Sequence, residues 1–237
     1  MICMTLDTDW VPDEVLAHSV GILERYKVKF TVFCTGSYPS LDSVDEELCE
    51  IGIHPNFSDM NQVKDGLKKL KKLYPEAVSL RNHSLFFSSK MLPVVKDFGI
   101  RYTSNYLMYG KKNVFPIEMP FGVTEIPIYF MDDFYLLRKA NGKPDNFEPD
   151  LLKPGIKVFA FHPVHIFLNT ESLKLYERVK GHLCDVSLLK RNRNYESGVG
   201  TLFGELLRFI KERGLPTRKL LEIPRAYLEE YETIQSN

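Results

Sequence analysis

The chain has 237 residues and balances 31 Lys plus Arg against 31 Asp plus Glu. This length suits one α/β barrel, so we expect a single domain over residues 1–237. Zero formal net charge excludes the strongly basic surface that nucleic-acid binding requires, and it favours a small or neutral substrate.

The distribution of apolar residues argues against a membrane protein. Charged residues interrupt every hydrophobic run before it reaches the roughly 20 residues of a spanning helix. The amino terminus lacks the basic segment and apolar stretch of a secretory signal. Four scattered cysteines without a C-x-x-C pair suit a reducing compartment. We therefore expect a soluble, cytoplasmic protein.

Apolar runs rich in β-branched and aromatic residues alternate with amphipathic stretches along the chain. The runs predict strands at 2–8, 29–35, 51–54, 78–81, 100–103, 123–130 and 157–161. The amphipathic stretches predict helices from about 15 to 26, 42 to 50, 61 to 74, 88 to 98, 171 to 180 and 201 to 213. A last run at 219–223 could close the sheet, and a Gly/Pro/Asn-rich loop at 140–155 is long enough for a lid. Such alternation predicts a mainly parallel sheet covered by helices.

Chemistry in parallel α/β barrels lies at the carboxyl ends of the strands, and potentially reactive residues collect there in this sequence. Four of the six histidines fall at predicted strand ends, whereas His18 and His182 fall in helical stretches and are expected on the surface. The strand-end set comprises Asp7, Asp9, His54, Arg81, His83, Asp132, Asp133, His162 and His165.

Asp7-Thr8-Asp9 places two carboxylates on one side of an extended segment, because side chains at i and i+2 share a face. One carboxylate can bind a cation while the other accepts a proton from water. Two histidines would complete a site for a zinc-like ion. The structural alternative is a helix N-cap or a loop carboxylate.

Four motifs together resemble a known family. They are Thr5-Leu6-Asp7-Thr8-Asp9-Trp10, Gly52-Ile53-His54-Pro55-Asn56-Phe57, Arg81-Asn82-His83-Ser84 and Phe159-Ala160-Phe161-His162. In this order they resemble the motifs of the NodB-homology polysaccharide deacetylases, the family-four carbohydrate esterases. The likeness spans about residues 2–168. The segment 126–133 also resembles cytosolic members associated with surface-glycan biosynthesis.

The resemblance implies a distorted (β/α) barrel of about seven strands that uses a divalent metal ion, usually zinc, to remove N- or O-acetyl groups from sugars. It makes Asp7 the general base and assigns Asp9 and His54 to the metal. Arg81 would orient Asp7 and keep it ionised. His162 would be the general acid for the leaving group. Taken alone, Arg81 also fits a barrel-rim salt bridge, and His162 a packed core histidine.

The sequence departs from the family pattern at the expected third metal ligand. The family has a second histidine four residues after the first, where this chain has Ser58, a poor zinc ligand. Asn56 and His83 are the candidates to replace it, and imidazole suits zinc better than an amide. Asn82-His83-Ser84 also stands where the family usually has proline and an aromatic residue after the arginine.

Five residues are candidate substrate contacts: Trp10, Asn56, Asp132, Asp133 and His165. Trp10 would form an apolar wall for a sugar ring, although an aromatic residue is more often core. The two aspartates would hydrogen-bond the sugar or His162, or form an acidic turn. His165 follows Pro163 too closely for a regular helix, and either contacts the substrate, supports another residue or has a structural role.

The leading hypothesis is deacetylation of a cytosolic precursor, either a nucleotide sugar or a lipid-linked glycan, without any nucleic-acid partner. One alternative is a catalytically attenuated glycan-binding or regulatory homologue that lost its metal through Ser58. Another is an amidohydrolase that acts on a non-sugar C–N bond. Metal content separates the first alternative from the leading hypothesis, and substrate screening separates the second.

Overall fold

The computed structural model describes residues 1–57, 59–142 and 151–227, which contain one nine-stranded sheet. Its order is β6-β7-β5-β4-β3-β2-β1-β9-β8, and every pair is parallel except β6 with β7. The strands are β1 (Ile2–Asp7), β2 (Phe30–Cys34), β3 (Cys49–Ile53), β4 (Ser79–Leu80), β5 (Tyr102–Thr103), β6 (Ile117–Met119), β7 (Val123–Glu125), β8 (Ile128–Met131) and β9 (Lys157–Phe161).

The sheet closes into a barrel because β7 and β8, which lie at opposite ends of its parallel part, follow each other directly in the chain. Only Ile126 and Pro127 separate β7 from β8, and proline has no N–H for a continuous ladder. The chain that follows β5 pairs with β8, since Ile128 N donates to Tyr106 O at 2.8 Å and Met108 N donates to Ile128 O at 2.8 Å. With β7 and β8 acting as one bent strand, seven parallel members form the ring. The expected distorted barrel of about seven strands is confirmed.

Eight α-helices lie wholly within the described residues. They are α1 (Asp13–Tyr26), α2 (Val63–Leu73), α3 (Leu92–Asp97), α4 (Asp132–Ala140), α5 (Pro163–Leu168), α6 (Leu173–Val179), α7 (Val186–Arg191) and α8 (Val199–Glu212). Helices α1, α5 and α8 pack against one another, and their apolar faces join β1 and β9 in the main hydrophobic core. No helix in the described ranges is long and apolar enough to cross a membrane.

A buried carboxylate ties the segment 219–223 to the amino-terminal end of the barrel. Glu50 accepts hydrogen bonds from Thr31 Oγ1 at 2.9 Å, from Ser79 Oγ and from the backbone N–H of Leu221 at 2.9 Å. The segment 219–223 was predicted to be a strand, and that prediction is wrong. It contains a 3-10 helix, Leu220–Glu222, that covers the barrel opening instead.

Two further sequence predictions fail for local reasons. The helix predicted at 42–50 is absent because Leu48 O accepts a hydrogen bond from Phe30 N at 2.8 Å and draws the chain into β3; only the 3-10 turn Pro39–Ser43 is helical there. Pro163 does not prevent a helix, since it occupies the first turn of α5, where no N–H is needed. Most of the loop expected to form a lid, residues 143–150, lies outside the described residues.

We expect Gly52→Ala to lower the free energy of unfolding by about 1–3 kcal/mol, because overpacking strains a filled core. A Cβ at this position in β3 would lie 2.8 Å from the Phe33 ring and 3.0 Å from Ser79 O. Gly21→Ala is the matched control, because its Cβ would meet nothing within 4 Å. Alanine in place of glycine inside α1 should raise the free energy of unfolding by about 0.5–1 kcal/mol. Urea denaturation of both variants measures the difference. Equal effects would show that β3 tolerates the added methyl group.

Candidate metal centre and catalytic site

The carboxyl ends of β1, β3, β4, β8 and β9 surround a cavity of about 80 Å³. This convergence follows from the parallel order of the strands, which brings residues distant in sequence to one edge. The predicted residues among its lining are Asp7, Asp9, His54, His83, Asp133 and His162, and Asn82, Ser84, Leu85 and Met131 complete it.

Asp9, His54 and His83 offer three donor atoms around one point. Asp9 Oδ1 lies 3.1 Å from His54 Nε2 and 3.2 Å from His83 Nδ1, and all three donors fall within 4.8 Å of one another. Tetrahedral zinc with ligands near 2.1 Å separates its donors by about 3.4 Å. The donor set therefore fits a zinc-like ion. The structure brings the three residues together, and the roles of Asp9, His54 and His83 as metal ligands stay predictions.

A tight turn after β1 aims the Asp9 carboxylate at the cavity. Asp9 and Trp10 both have positive φ, 42° and 59°, a conformation that non-glycine residues keep only where their surroundings enforce it. Thr8 Oγ1 lies 2.9 Å from Thr35 Oγ1, and Trp10 N donates to the same Thr35 hydroxyl at 3.0 Å. These hydrogen bonds hold the turn in place. The sequence did not predict this role for Thr35.

The surrounding imidazoles keep Asp9 ionised. Burial alone would raise the pKa of this carboxyl, but the charge of His162 and the hydrogen bonds from His54 and His83 lower the pKa far below its usual range. The hydrogen bond to Asp9 likewise raises the pKa of His83, despite the opposing effect of burial. An ionised carboxylate is the form that binds a cation.

Asp7 and Arg81 form a fully buried ion pair. Arg81 Nη1 lies 2.9 Å from Asp7 Oδ1, and Arg81 has no exposed surface. Three of its other N–H groups are also used: Nη1 donates to Thr5 Oγ1 at 2.7 Å, Nε to Ser104 O at 3.0 Å, and Nη2 to Ser104 Oγ at 2.8 Å. Of the surface or barrel-rim salt bridge considered from the sequence, burial excludes the surface position, and the ion pair lies at the ends of β1 and β4. Ser104, which follows β5, was missed although it lies at a strand end.

Asp132 fixes the orientation of His162. Its Oδ1 lies 2.6 Å from His162 Nδ1, and its Oδ2 accepts the His162 backbone N–H at 2.7 Å. Burial would lower the pKa of His162, but Asp132, then Asp133 and Asp9, raise it well above its usual value. Asp132 is itself fully buried, so of its two expected contacts the structure shows the hydrogen bond to His162, and direct contact with a substrate is wrong. His162 Nε2 is left facing Asp9 Oδ2 at 3.5 Å.

A second histidine–aspartate pair lies beside the first. His165 Nε2 is 2.7 Å from Asp133 Oδ1, and its Nδ1 is 3.1 Å from Thr170 Oγ1. His165 is buried, so its predicted substrate contact is wrong and it supports Asp133 instead. The Asp133 side chain is 49 % exposed and lines the cavity, where a substrate can reach it.

The two remaining candidate substrate contacts, Trp10 and Asn56, differ in their position relative to the cavity. Trp10 is 46 % exposed and meets the His83 ring edge-on at 4.9 Å between centroids, which places it at the rim rather than in the core. Asn56 is exposed and does not line the cavity. Ser58, where the family has a histidine, lies outside the described residues.

Comparison with known proteins identifies the family. A family model for WbmS-like polysaccharide deacetylases matches residues 4–180. The chain belongs to this family. A Bordetella bronchiseptica structure, described as a candidate polysaccharide deacetylase involved in O-antigen biosynthesis (WbmS), is 31 % identical. That likeness covers 87 % of this chain and 89 % of the other, with a TM-score of 0.77. The family expected from the motifs is thus confirmed.

More distant structures share the fold of this family member. Peptidoglycan deacetylase PdaC from Bacillus subtilis is 11 % identical over 99 % of this chain and 95 % of its own, with a TM-score of 0.53. A CE4 family pseudoenzyme from Bacillus anthracis is 14 % identical over 94 % of this chain and 64 % of its own, with a TM-score of 0.50. Among curated protein sequences, no significant match was found.

We expect His54→Asn and His83→Asn each to weaken zinc binding at least about tenfold, because each removes one imidazole ligand. His182→Asn is the control, since His182 is exposed and does not line the cavity. Titration of metal-free protein with zinc against a competing chelator gives the affinities. Unchanged affinity in His83→Asn, with loss in His54→Asn, would remove His83 from the ligand set.

Proposed function

We propose that this polysaccharide deacetylase family member is a metal-dependent hydrolase that removes an N-acetyl or O-acetyl group from a sugar or glycan precursor. The observation that carries the proposal is the pairing of the two candidate catalytic residues. Asp7 is held by a buried arginine, His162 is held by a buried aspartate, and both line the same cavity as Asp9. Ionisable groups with such partners are costly to bury and concentrate at functional sites.

Asp9, His54 and His83 are the residues that would hold a divalent ion in this proposal. Zinc is the best match for one carboxylate and two imidazoles. When bound, the ion supplies Lewis acidity, which activates water and polarises the acyl carbonyl. All other steps are assigned to side chains of the chain itself.

Asp7 is the general base in this scheme. Arg81 occupies Asp7 Oδ1, while Oδ2 accepts no hydrogen bond from the described residues. We assign the proton of the attacking water to Oδ2. Because Arg81 is itself fixed by Thr5 and Ser104, the carboxylate keeps its orientation during the reaction.

His162 is the general acid. Its Nδ1 is engaged by Asp132, so only Nε2 can deliver a proton towards the cavity. Against the effect of burial, the carboxylates of Asp132, Asp133 and Asp9 raise the pKa of His162, which favours the protonated form that a general acid requires. Transfer of that proton to the departing nitrogen or oxygen completes cleavage of the acyl bond.

The cavity dimensions favour a small acyl group with its sugar outside. A volume of about 80 Å³ leaves room for an acetyl group but not for a sugar ring. The exposed face of Trp10 and the half-exposed Asp133 lie where the ring would project. The Bordetella relative's description points to O-antigen biosynthesis, so we place the substrate among cytoplasmic precursors, either nucleotide-linked or lipid-linked.

We expect Asp7→Asn to retain zinc but to lower kcat at least about a hundredfold, because an amide preserves shape but cannot accept the proton. Single-turnover assays on an N-acetylated amino sugar, with elemental analysis of the same sample, measure both quantities. Asp13→Asn is the control, since it makes the same chemical change on α1, outside the cavity lining. Activity of Asp7→Asn within about tenfold of wild type would reject Asp7 as base.

We expect His162→Ala to keep its zinc and to lose much more activity on an amide substrate than on an activated ester. An amine must be protonated to leave, whereas an activated alkoxide leaves without a proton. The alkaline limb of the pH–rate profile should also flatten, because that limb belongs to the acid. Equal losses on both substrates would contradict the assignment, and loss of zinc would make His162 a ligand instead.

A further inference from the structure

A second concave surface lies on the outer side of α1 and α5, away from the catalytic cavity. It consists of two adjoining depressions of about 390 and 490 Å³ that share His18, Arg193 and Tyr195. We call these depressions the Arg193 cleft. Glu14, Phe167, Asn169, Lys190 and Asn194 are among the other residues of its lining. None of them belongs to the catalytic cavity.

The cleft presents an arginine charge that no described carboxylate neutralises. Arg193 stacks over the Phe167 ring at 5.6 Å, and its Nη2 lies 3.5 Å from His18 Nε2. Lys190, the other cation of the lining, is already paired with Glu14 at 2.6 Å. Burial, together with the charges of Arg193 and Arg25, lowers the pKa of His18. The local field is therefore positive, and a guanidinium with free donors favours a phosphate oxygen.

The loop that carries Arg193 is held rigidly rather than left mobile. Asn169 Nδ2 donates to Asn194 O at 3.2 Å and to Glu196 O at 2.6 Å, while Asn194 Nδ2 donates to Asn169 O at 3.0 Å. Between these fixed points Tyr195 stands 86 % exposed. Core packing does not explain so exposed an aromatic residue on a braced loop. An aromatic face beside a cation suits a sugar ring attached to a phosphate.

We propose that the Arg193 cleft binds a phosphorylated saccharide, with its phosphate on Arg193 and its sugar against Tyr195. The saccharide part rests on the proposed function, whereas the phosphate part rests on the unpaired arginine. The cleft volume lies within the range of small-molecule sites. Helix α5 connects the Arg193 cleft to the catalytic cavity. His162 directly precedes this helix, and Phe167 in the cleft lies about 8 Å further along the helix axis.

Calorimetry of the zinc-loaded protein tests the proposal with N-acetylglucosamine 1-phosphate as probe and unphosphorylated N-acetylglucosamine beside it. We expect Arg193→Gln to weaken binding of the sugar phosphate at least tenfold. Arg191→Gln, which removes the same charge from an exposed position two residues away, should leave it unchanged. Tyr195→Ala should also weaken it, and this exposed site avoids any folding defect. Equal affinity in wild type and Arg193→Gln, or no binding to wild type, would overturn the proposal.

Two further measurements complete the test. A competition experiment identifies the group that carries the phosphate, and an activity assay distinguishes this proposal from the proposed catalytic function. A uridine-diphosphate sugar and a short polyprenyl-diphosphate sugar compete with the probe for the same cleft, and the tighter competitor names the natural carrier. Failure of both to compete would contradict the proposal. Deacetylase activity is measured separately on an unphosphorylated substrate. Phosphate binding without turnover would reject the proposed function alone, and turnover without phosphate binding would reject the cleft alone.

Discussion

The site depends on one carboxylate, that of Asp9, which lies among three imidazoles from three other strand ends. None of these contacts is local in sequence, so the strands β4, β3, β2, β1 and β9 must assemble before all of them exist. Once they form, the carboxylate stays ionised and its two oxygens face different partners. Oδ1 points to His54 and His83, while Oδ2 points to His162. One side chain thus separates the candidate metal ligands from the candidate acid.

Much of the fold and of the site could be predicted, because both depend on simple periodic signals. Parallel strands buried on both faces read as continuous apolar runs, and the residues after such strands meet at one edge. That argument brought Asp7, Asp9, His54, His83 and His162 to one cavity without any structure. The roles of these residues, by contrast, stay predictions until the variants are measured.

What could not be predicted depends on contacts that no local pattern encodes. The segment 42–50 has helical spacing, yet the backbone oxygen of Leu48 accepts a hydrogen bond from Phe30 N, which directs the chain into β3. For His165 and Asp132 the sequence left both a substrate contact and a supporting role open, and only their burial and hydrogen bonds decide for support. Thr35 and Ser104 were missed because a hydroxyl that braces a turn or an arginine looks like any other polar residue.

The hydrogen bonds of Glu50 have a consequence for how this protein is made. The carboxylate lies inside the barrel, and one of its donors, Leu221 N–H, comes from near the end of the described chain. While a ribosome is still synthesising residues before 221, this buried acid lacks that partner and the barrel opening lacks its cover. The candidate catalytic residues Asp7, Arg81 and His162 all precede this point in the chain. Burial of the acid is therefore completed only after residue 221 has been synthesised, which delays the mature core until that point.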